Sequence, residues 1–362
     1  MFSQSETVVL EGGPVRDWRR LEVRMKHSRI KCLDMTKMTI PELREVREAM
    51  WDQLIMTVKR VETLEKIEMC RCSSIHLEKI AAVSSNLEYL SVGPIESRQI
   101  HLATFERKHL IELKLKGHRE LGLKINDARV LSTLSNLKTL SLTVVKNMSE
   151  VLLVVGTMTQ LESLELGDMT NLTVIEVVQG FNQLNNLKRL RLEKGQEGCP
   201  TNAILQTICR LPSLKQLELI NFDIDDGFKD SLSLCSNIEK LLLIPTYGGQ
   251  FQKTNYQVLQ GVCTLPRTLK QFTWVMTLEL LSETEKVVED CIKKGGVVGS
   301  CSNQNLNEYK GSCAMLYNPI TTKVDVMELS RLQHVLILML PNAQVSLIKT
   351  PFKKTWRQTI PI

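Results

Sequence analysis

Apolar residues recur through the middle of the chain in a fixed six-residue pattern. The first, fourth and sixth positions of this hexapeptide are apolar in every copy, and the positions between them are mostly polar. The copies follow one another at intervals of 23 to 27 residues and begin at Leu64, Leu87, Leu110, Leu137, Leu161, Leu187, Leu214 and Ile238. Looser copies begin at Ile30 and Leu269. A period of this length, kept in register, is typical of a solenoid built from stacked units.

The hexapeptide predicts one short strand per unit, because successive side chains of a strand point to opposite faces. We expect the fourth and sixth positions to point into a shared core and the third and fifth positions to point away from it. Residues at helical spacing then return the chain to the next strand, for example Ile204, Leu205, Ile208 and Leu211. The expected fold is therefore α/β, with a parallel sheet on the inside and helices on the outside.

The repeat resembles the leucine-rich repeat, and its length is similar to that of the helix-bearing subtypes. The unit that begins at Leu214 is similar to the cysteine-containing repeat of F-box proteins, since Ile224-Asp225-Asp226-Gly227 precedes its helical segment and Cys235 precedes the next strand. The other units keep the strand pattern and lose the cysteine. The resemblance covers about residues 60 to 280. It implies a leucine-rich-repeat solenoid, or horseshoe, with a concave parallel sheet and outer helices.

A second resemblance lies near the N-terminus. The run Trp18-Arg19-Arg20-Leu21 is similar to the end of the last F-box helix, which implies that Trp18 and Leu21 contact the Skp-type adaptor of a cullin-RING ubiquitin ligase. Only 17 residues precede Trp18, and they include Gly12-Gly13-Pro14, which disfavours a helix. Two interpretations stay open: a truncated F-box, or a helix whose Trp18 and Leu21 cover the first apolar face of the solenoid.

The patterns divide the chain into four predicted segments: an N-terminal segment with a capping helix and a candidate F-box remnant, the repeat solenoid, a flexible loop, and a C-terminal cap with a basic tail. These segments span residues 1–62, 63–292, 293–323 and 324–362. Apolar residues at three- and four-residue steps from Pro41 to Val61 predict the capping helix. The last segment is predicted to contain one more strand on the basis of Leu332, Val335, Ile337 and Leu340.

The charge and cysteine content of the chain indicate its class of partner and its cellular compartment. The chain carries 46 Lys and Arg against 40 Asp and Glu, a net charge of +6, which is too small a surplus to indicate nucleic-acid binding. Its apolar stretches are too short to cross a bilayer, and its first residues lack a secretory signal. We therefore expect a protein of the cytosol or nucleus, with no membrane partner, whose ten cysteines are reduced and mostly buried.

Sequence motifs for catalysis are missing, so we expect neither an enzyme nor a bound cofactor. The chain has no HExxH helix, GxSxG elbow, phosphate-binding Walker loop or GxGxxG turn. The six histidines have no zinc-like spacing to cysteine, and Cys70 and Cys72 would need two more ligands to hold zinc. The sequence therefore predicts no metal site, and what remains is a surface.

The third and fifth hexapeptide positions should line the concave face and contact a protein target, since Arg and Tyr are favoured anchors at protein interfaces. The candidate contact residues are Tyr89, Lys114, Glu165, Arg189, Arg191, Glu218 and Lys240. The function expected from the resemblance is that of a target-recognition subunit similar to the F-box receptors with leucine-rich repeats. A scaffold or inhibitor of the ribonuclease-inhibitor type, unrelated to ubiquitin, is the alternative.

Overall fold

The computed structural model describes most of the chain before residue 277 and a short stretch near the C-terminus. The described residues are 6–13, 15–106, 109–169, 171–195, 198–224, 226–246, 251–265, 267–276, 333–334 and 336–349. The chain divides into two compact units, Met1–Asp168 and Met169–Ile362. We call them unit 1 and unit 2.

Unit 1 contains a parallel sheet whose neighbouring strands follow the order of the chain. Its strands are β1 (Thr7–Val9), β2 (Cys32–Met35), β3 (Lys66–Met69), β4 (Tyr89–Ile95), β6 (Glu112–Gly117), β8 (Thr139–Thr143) and β9 (Ser163–Gly167). A separate parallel pair joins β5 (Gln99–His101) to β7 (Lys124–Asn126). The helices are α1 (Trp18–His27), α2 (Arg44–Arg60), α3 (Ser74–Val83), α4 (Val130–Thr133) and α5 (Met148–Val155), with a 3-10 helix at Leu102–Phe105.

Unit 2 repeats the same arrangement. Its parallel strands, again in chain order, are β10 (Arg189–Gly195), β11 (Gln216–Phe222), β12 (Lys240–Pro245), β13 (Gln271–Met276) and β14 (Gln344–Lys349). Its helices are α6 (Val174–Phe181), α7 (Thr201–Ile208), α8 (Phe228–Ser233) and α9 (Phe251–Val262). Consecutive helices of this unit contact one another, α6 with α7, α7 with α8, and α8 with α9.

The hexapeptide sets the strand register in both units. Each strand from β3 to β13 in these two sheets begins at the third hexapeptide position. The fourth and sixth positions lie opposite their equivalents on the next strand, as Leu113 does opposite Leu140, and the eight regular copies leave these side chains at most 3% exposed. Burial of each leucine contributes roughly 1.5–3 kcal/mol. This confirms the predicted α/β leucine-rich-repeat fold.

The unit with the cysteine-containing pattern shows how a repeat turns from strand to helix. Gly227 has φ +88° at the N-cap of α8, a left-handed conformation that a side chain would strain. Phe228 and Leu232 of α8 are fully buried, and Cys235, which follows the helix, is 1% exposed. The glycine, the apolar helix positions and the buried thiol therefore occupy the places that the sequence pattern predicts.

Two details differ from the sequence-based expectations. The helix predicted from Pro41 begins at Arg44, and because α2 contacts both α1 and α3 it is flanked on two sides, unlike a terminal cap. The strand predicted around Ile337 is wrong, since residues 336–339 are helical and β14 begins at Gln344.

The physical reason for the second difference is visible in the burial of β14. Val345 and Leu347 are 5% and 9% exposed and fill the fourth and sixth positions of a hexapeptide whose first residue is Asn342. Because its first position is polar, this copy does not match a pattern that requires an apolar residue there. The predicted loop 293–323, Leu332, Val335 and the basic tail after Lys349 lie outside the described residues.

Candidate functional site

The face of each sheet that carries the third and fifth hexapeptide positions is the candidate binding surface, and we call it the outward face. In unit 1 five neighbouring strands place these residues in two rows that are locked by the strand register. The third-position row is Lys66, Tyr89, Glu112, Thr139 and Ser163. The fifth-position row is Glu68, Ser91, Lys114, Ser141 and Glu165. Nine of these ten side chains are partly exposed, and Ser141 is buried.

Ion pairs along the strands hold the charges of this face in place. Lys66 Nζ lies 3.0 Å from a Glu68 carboxylate oxygen, and Lys114 Nζ lies 3.1 Å from a Glu112 oxygen. Partial burial lowers the pKa of Lys66, but the hydrogen bond and the charge of Glu68 outweigh it and leave that pKa raised. The amine therefore stays charged, and both signs of charge alternate over the face.

Glu165 and Tyr89 complete the polar surface of unit 1. The Ser141 hydroxyl donates a hydrogen bond of 2.9 Å to Glu165, which ties the last two strands of this unit together at the side-chain level. Tyr89 is half-exposed at the start of β4, opposite Lys66 on one side and Glu112 on the other. Tyr89, Lys114 and Glu165 thus share one face, and the sequence correctly placed them together.

The outward face of unit 2 is built differently, because its charged residues form a buried network. Arg191 is 3% exposed and Glu218 is fully buried. Arg191 Nη1 donates to Glu218 at 2.9 Å, while its Nε and Nη2 donate to Glu193 at 3.1 and 2.8 Å. Arg189 donates to the other oxygen of Glu218 from Nε at 3.1 Å and approaches it from Nη2 at 2.9 Å, and Gln216 adds a bond of 2.8 Å.

Apolar residues occupy the outward positions next to this network. Ile220, Leu242, Ile244 and Val275 form a buried cluster, and the partly buried Ile348 packs against it. The four buried members of this cluster are at most 3% exposed. Arg191 and Glu218, two of the expected partner contacts, and Leu242 are therefore buried although they hold fifth hexapeptide positions. Lys240 is exposed at the start of β12.

The candidate adaptor contacts, Trp18 and Leu21, lie in the first helix of unit 1. Asp17 caps this helix by accepting a hydrogen bond of 2.9 Å from the Arg20 backbone N–H. Trp18 and Leu21 are both half-buried. Since α1 connects β1 to β2 and contacts α2, this segment forms a strand–helix unit of the sheet, which extends into the segment assigned to residues 1–62.

The described ranges contain free thiols, and they contain neither a metal-binding group of side chains nor a membrane-spanning helix. Within them, no three His, Cys, Asp or Glu side chains come together as a metal-binding group. The cysteines of these ranges are free thiols, and five of them are buried: Cys32, Cys72, Cys199, Cys235 and Cys263. None of the helices in the same ranges has the length and apolar character that a bilayer crossing requires.

Comparison with known proteins yields structural similarity alone. No family model and no curated protein matches the sequence. One solved structure to which the chain is similar is the leucine-rich-repeat ectodomain of the plant membrane receptor kinase GASSHO1/SCHENGEN3 from Arabidopsis thaliana, in complex with CASPARIAN STRIP INTEGRITY FACTOR 2, at 13% identity and a TM-score of 0.27. The match covers 76% of this chain and 39% of that one. The fold assignment accordingly rests on the strand register and burial described above.

Proposed function

We propose that this chain is a protein-binding module that holds its partner on the outward face of unit 1. The observation that carries the proposal is the pair of register-locked rows on β3, β4, β6, β8 and β9, whose side chains are polar and nearly all partly exposed. The core beneath these rows is at most 3% exposed. Recognition residues can therefore vary without a change in the residues that hold the fold.

The dimensions of this face fit the centre of a protein interface. Neighbouring strands are about 4.8 Å apart and alternate residues of a strand about 6.7 Å apart, so the two rows span roughly 19 Å by 7 Å. A specific interface covers about 800 Å² on each partner, which is several times larger. The partner must then extend beyond the rows, with Tyr89 and Lys114 near the middle, where anchor residues contribute most of the binding free energy.

The charge pattern indicates what kind of partner fits. Lys66 and Lys114 each sit beside a carboxylate on their own strand. A surface that tracks a phosphate backbone presents a run of cations with one sign. Alternating charges on this face favour a partner protein whose surface carries the complementary alternating charges. A partner with a different charge pattern would place like charges opposite each other, which would weaken its binding.

The finer form of the proposal is a target-recognition subunit of a cullin-RING ubiquitin ligase. Its support is the resemblance of the repeat that ends at Cys235 to F-box receptor repeats, together with the half-buried Trp18 and Leu21 on α1. In this role the chain performs no bond chemistry, works in the cytosol or nucleus, and positions a bound target for ubiquitin transfer. Co-purification of the Skp-type adaptor that is lost in a Trp18→Ala, Leu21→Ala variant supports this role. Binding of a target without the adaptor supports a scaffold or inhibitor.

Charge reversal at one position tests the binding face. Lys114 is 42% exposed on the outward face, and Lys79 is exposed on α3, away from the rows. Lys114→Glu and Lys79→Glu are therefore matched in charge and in expected cost to folding, since exposed charges contribute little to stability.

The readout is affinity capture from a cell lysate followed by quantitative mass spectrometry. We expect proteins retained by the wild type and by Lys79→Glu to be depleted at least tenfold by Lys114→Glu, with unchanged thermal unfolding. Equal capture by all three proteins would refute the assignment of the face.

A further inference from the structure

Two cysteines of unit 2 lie at the ends of neighbouring helices. Cys209 is the C-cap of α7, and its backbone N–H donates to the Leu205 carbonyl at 2.9 Å. Cys235 follows α8 in the next repeat, and its sulfur lies 3.9 Å from the same Leu205 carbonyl. One carbonyl group therefore brings the Cys235 thiol against the last turn of α7, although 25 residues separate the two cysteines along the chain.

The Cys209 thiol donates a hydrogen bond of 3.1 Å to the Gln206 carbonyl, and the Cys235 sulfur lies 3.9 Å from both the Leu205 and the Ser231 carbonyl oxygens. The interaction between the two thiols lowers the pKa of Cys209 to about 7 against the opposing effect of burial, with the charge of Arg210 acting in the same direction. The same interaction, together with burial, raises the pKa of Cys235. Cys209 is thus the thiol of the pair that forms a thiolate near neutral pH, which is the nucleophilic form.

Solvent exposure also indicates that Cys209 reacts first and Cys235 second. Cys209 is partly exposed, whereas Cys235 is 1% exposed. A small oxidant can reach Cys209 from solvent, and a neighbouring buried thiol is then positioned to react with the oxidised sulfur. A low-pKa accessible cysteine next to a resolving cysteine is the arrangement found in thiol-based redox sites.

We infer that Cys209 and Cys235 form a redox-active dithiol that closes to a disulfide between α7 and α8. With hydrogen peroxide as the oxidant, the Cys209 thiolate attacks one peroxide oxygen, the O–O bond breaks, and the departing hydroxide takes up a proton to give water and a Cys209 sulfenic acid. The Cys235 sulfur then attacks the Cys209 sulfur, the S–O bond breaks, and the second water leaves with the Cys235 proton. Two thiols lose two electrons and two protons, and the peroxide becomes two waters.

The other described thiols of unit 2 lack this combination. Burial raises the pKa of Cys199 to about 12, and its side chain is only 6% exposed. Cys263 is 2% exposed, with its sulfur 4.0 Å from the sulfur of Met339. Oxidation at low peroxide concentration should therefore select the Cys209–Cys235 pair. The bond would fix two consecutive repeats to each other at their helices and leave the outward face of unit 1 unchanged.

Peptide mapping of the full-length protein tests the inference directly. The reduced protein is treated with hydrogen peroxide, its remaining thiols are blocked with N-ethylmaleimide, and it is digested with trypsin without reduction. Cys209 falls in the peptide of residues 195–210, which also contains Cys199, and Cys235 falls in the peptide of residues 230–240. Cys199→Ser is therefore the matched control for Cys209→Ser.

We expect a 195–210/230–240 cross-link in the wild type and in Cys199→Ser, its loss in Cys209→Ser, and its reversal by dithiothreitol. Circular dichroism of the reduced variants checks that all three proteins are folded, and Cys209 is partly exposed, so its replacement should be tolerated. Loss of the cross-link in Cys199→Ser would overturn the inference. So would accumulation of Cys209 sulfinic acid while Cys235 still reacts with N-ethylmaleimide after unfolding.

Discussion

The buried carboxylate of Glu218 makes the sharpest energetic prediction. It accepts contacts from Arg189, Arg191 and Gln216 within 3.1 Å and has no solvent exposure. In Glu218→Met the Arg191 guanidinium, whose side chain is 4% exposed, loses the contact to Glu218 and keeps those to Glu193. Removing one partner of a buried ion pair costs about 3–5 kcal/mol.

The structure places this variant at the lower end of that range. Arg189 has a side chain that is 42% exposed, so it can regain water after the loss of Glu218. Arg191 keeps two contacts to Glu193, at 3.1 and 2.8 Å. We therefore expect a loss of about 3 kcal/mol, or roughly a 150-fold change in the local unfolding equilibrium.

Replacing both charges should recover most of that loss. In Arg191→Met, Glu218→Met the two side chains become apolar next to Leu242, which lies opposite Glu218 in the strand register. Apolar replacements of buried ion pairs are often neutral or stabilising. We expect the double variant to lie within about 1 kcal/mol of the wild type, which gives a coupling energy of at least about 2 kcal/mol in the double-mutant cycle.

Hydrogen exchange of β10 and β11, measured by mass spectrometry alongside urea unfolding, reports on unit 2 even if the two units unfold separately. Glu112→Met is the control, because Glu112 pairs with Lys114 through side chains that are 21% and 42% exposed. It should cost less than about 1 kcal/mol. Equal losses for Glu112→Met and Glu218→Met, or a double variant no better than Glu218→Met, would refute the reasoning.

Two further predictions concern the core and the acid range. Leu190→Asp places an unpaired carboxylate at a fully buried position and should lower the free energy of unfolding by more than about 4 kcal/mol. Its control, Lys240→Asp, changes an exposed position and should lower that free energy by less than about 1 kcal/mol. Similar urea midpoints for the two variants would contradict the inward assignment of Leu190. The hydrogen bond to His76 lowers the pKa of Glu48 below its usual 4.5, so its stabilising contribution is present above that value and is lost as the pH falls through the folded-state pKa. Glu48→Gln should therefore show a flatter loss of stability on acidification, followed by thermal unfolding at stepped pH, and an unchanged acid profile would count against this contact.

The periodic part of the fold was predictable because burial alone imposes it. Every regular copy needs apolar side chains at the fourth and sixth positions to fill the space between strand and helix. The sequence spacing therefore predicts one strand in each copy, and the observed strands start at the third position, as at Lys66 and Gln216. The pattern around β14 was missed because its first position is Asn342, a residue that the core does not require to be apolar. Apolar residues at the fourth and sixth positions therefore indicate a repeat strand more reliably than an apolar first residue does.

The predicted placement of the third and fifth positions on one face holds in both units, but the burial of that face differs between them. Tyr89 and Lys114 are partly exposed at these positions, whereas Arg191 and Glu218 are buried. Strand alternation tells which side chains share a face but says nothing about whether that face is buried. The buried contact between Arg191 and Glu218 arises because charges from neighbouring repeats meet. The sequence spacing between these two residues does not show that they are desolvated.

A signal for the difference was nevertheless present one residue beyond the hexapeptide. The seventh position also points outward, and in the regular copies of unit 1 it is Cys70, Gly93, Lys116, Thr143 or Gly167. In β11, β12 and β13 it is Ile220, Ile244 and Val275, the members of the buried outward cluster together with Leu242. Because the fourth and sixth positions fill the core on the other side of the sheet, an apolar seventh position indicates that its own part of the outward face is buried. In unit 1 the seventh position is partly or fully exposed at Cys70, Gly93 and Lys116 and buried at Thr143 and Gly167. The exposed part of the face thus lies on β3, β4 and β6, where Tyr89 and Lys114 are available to a partner.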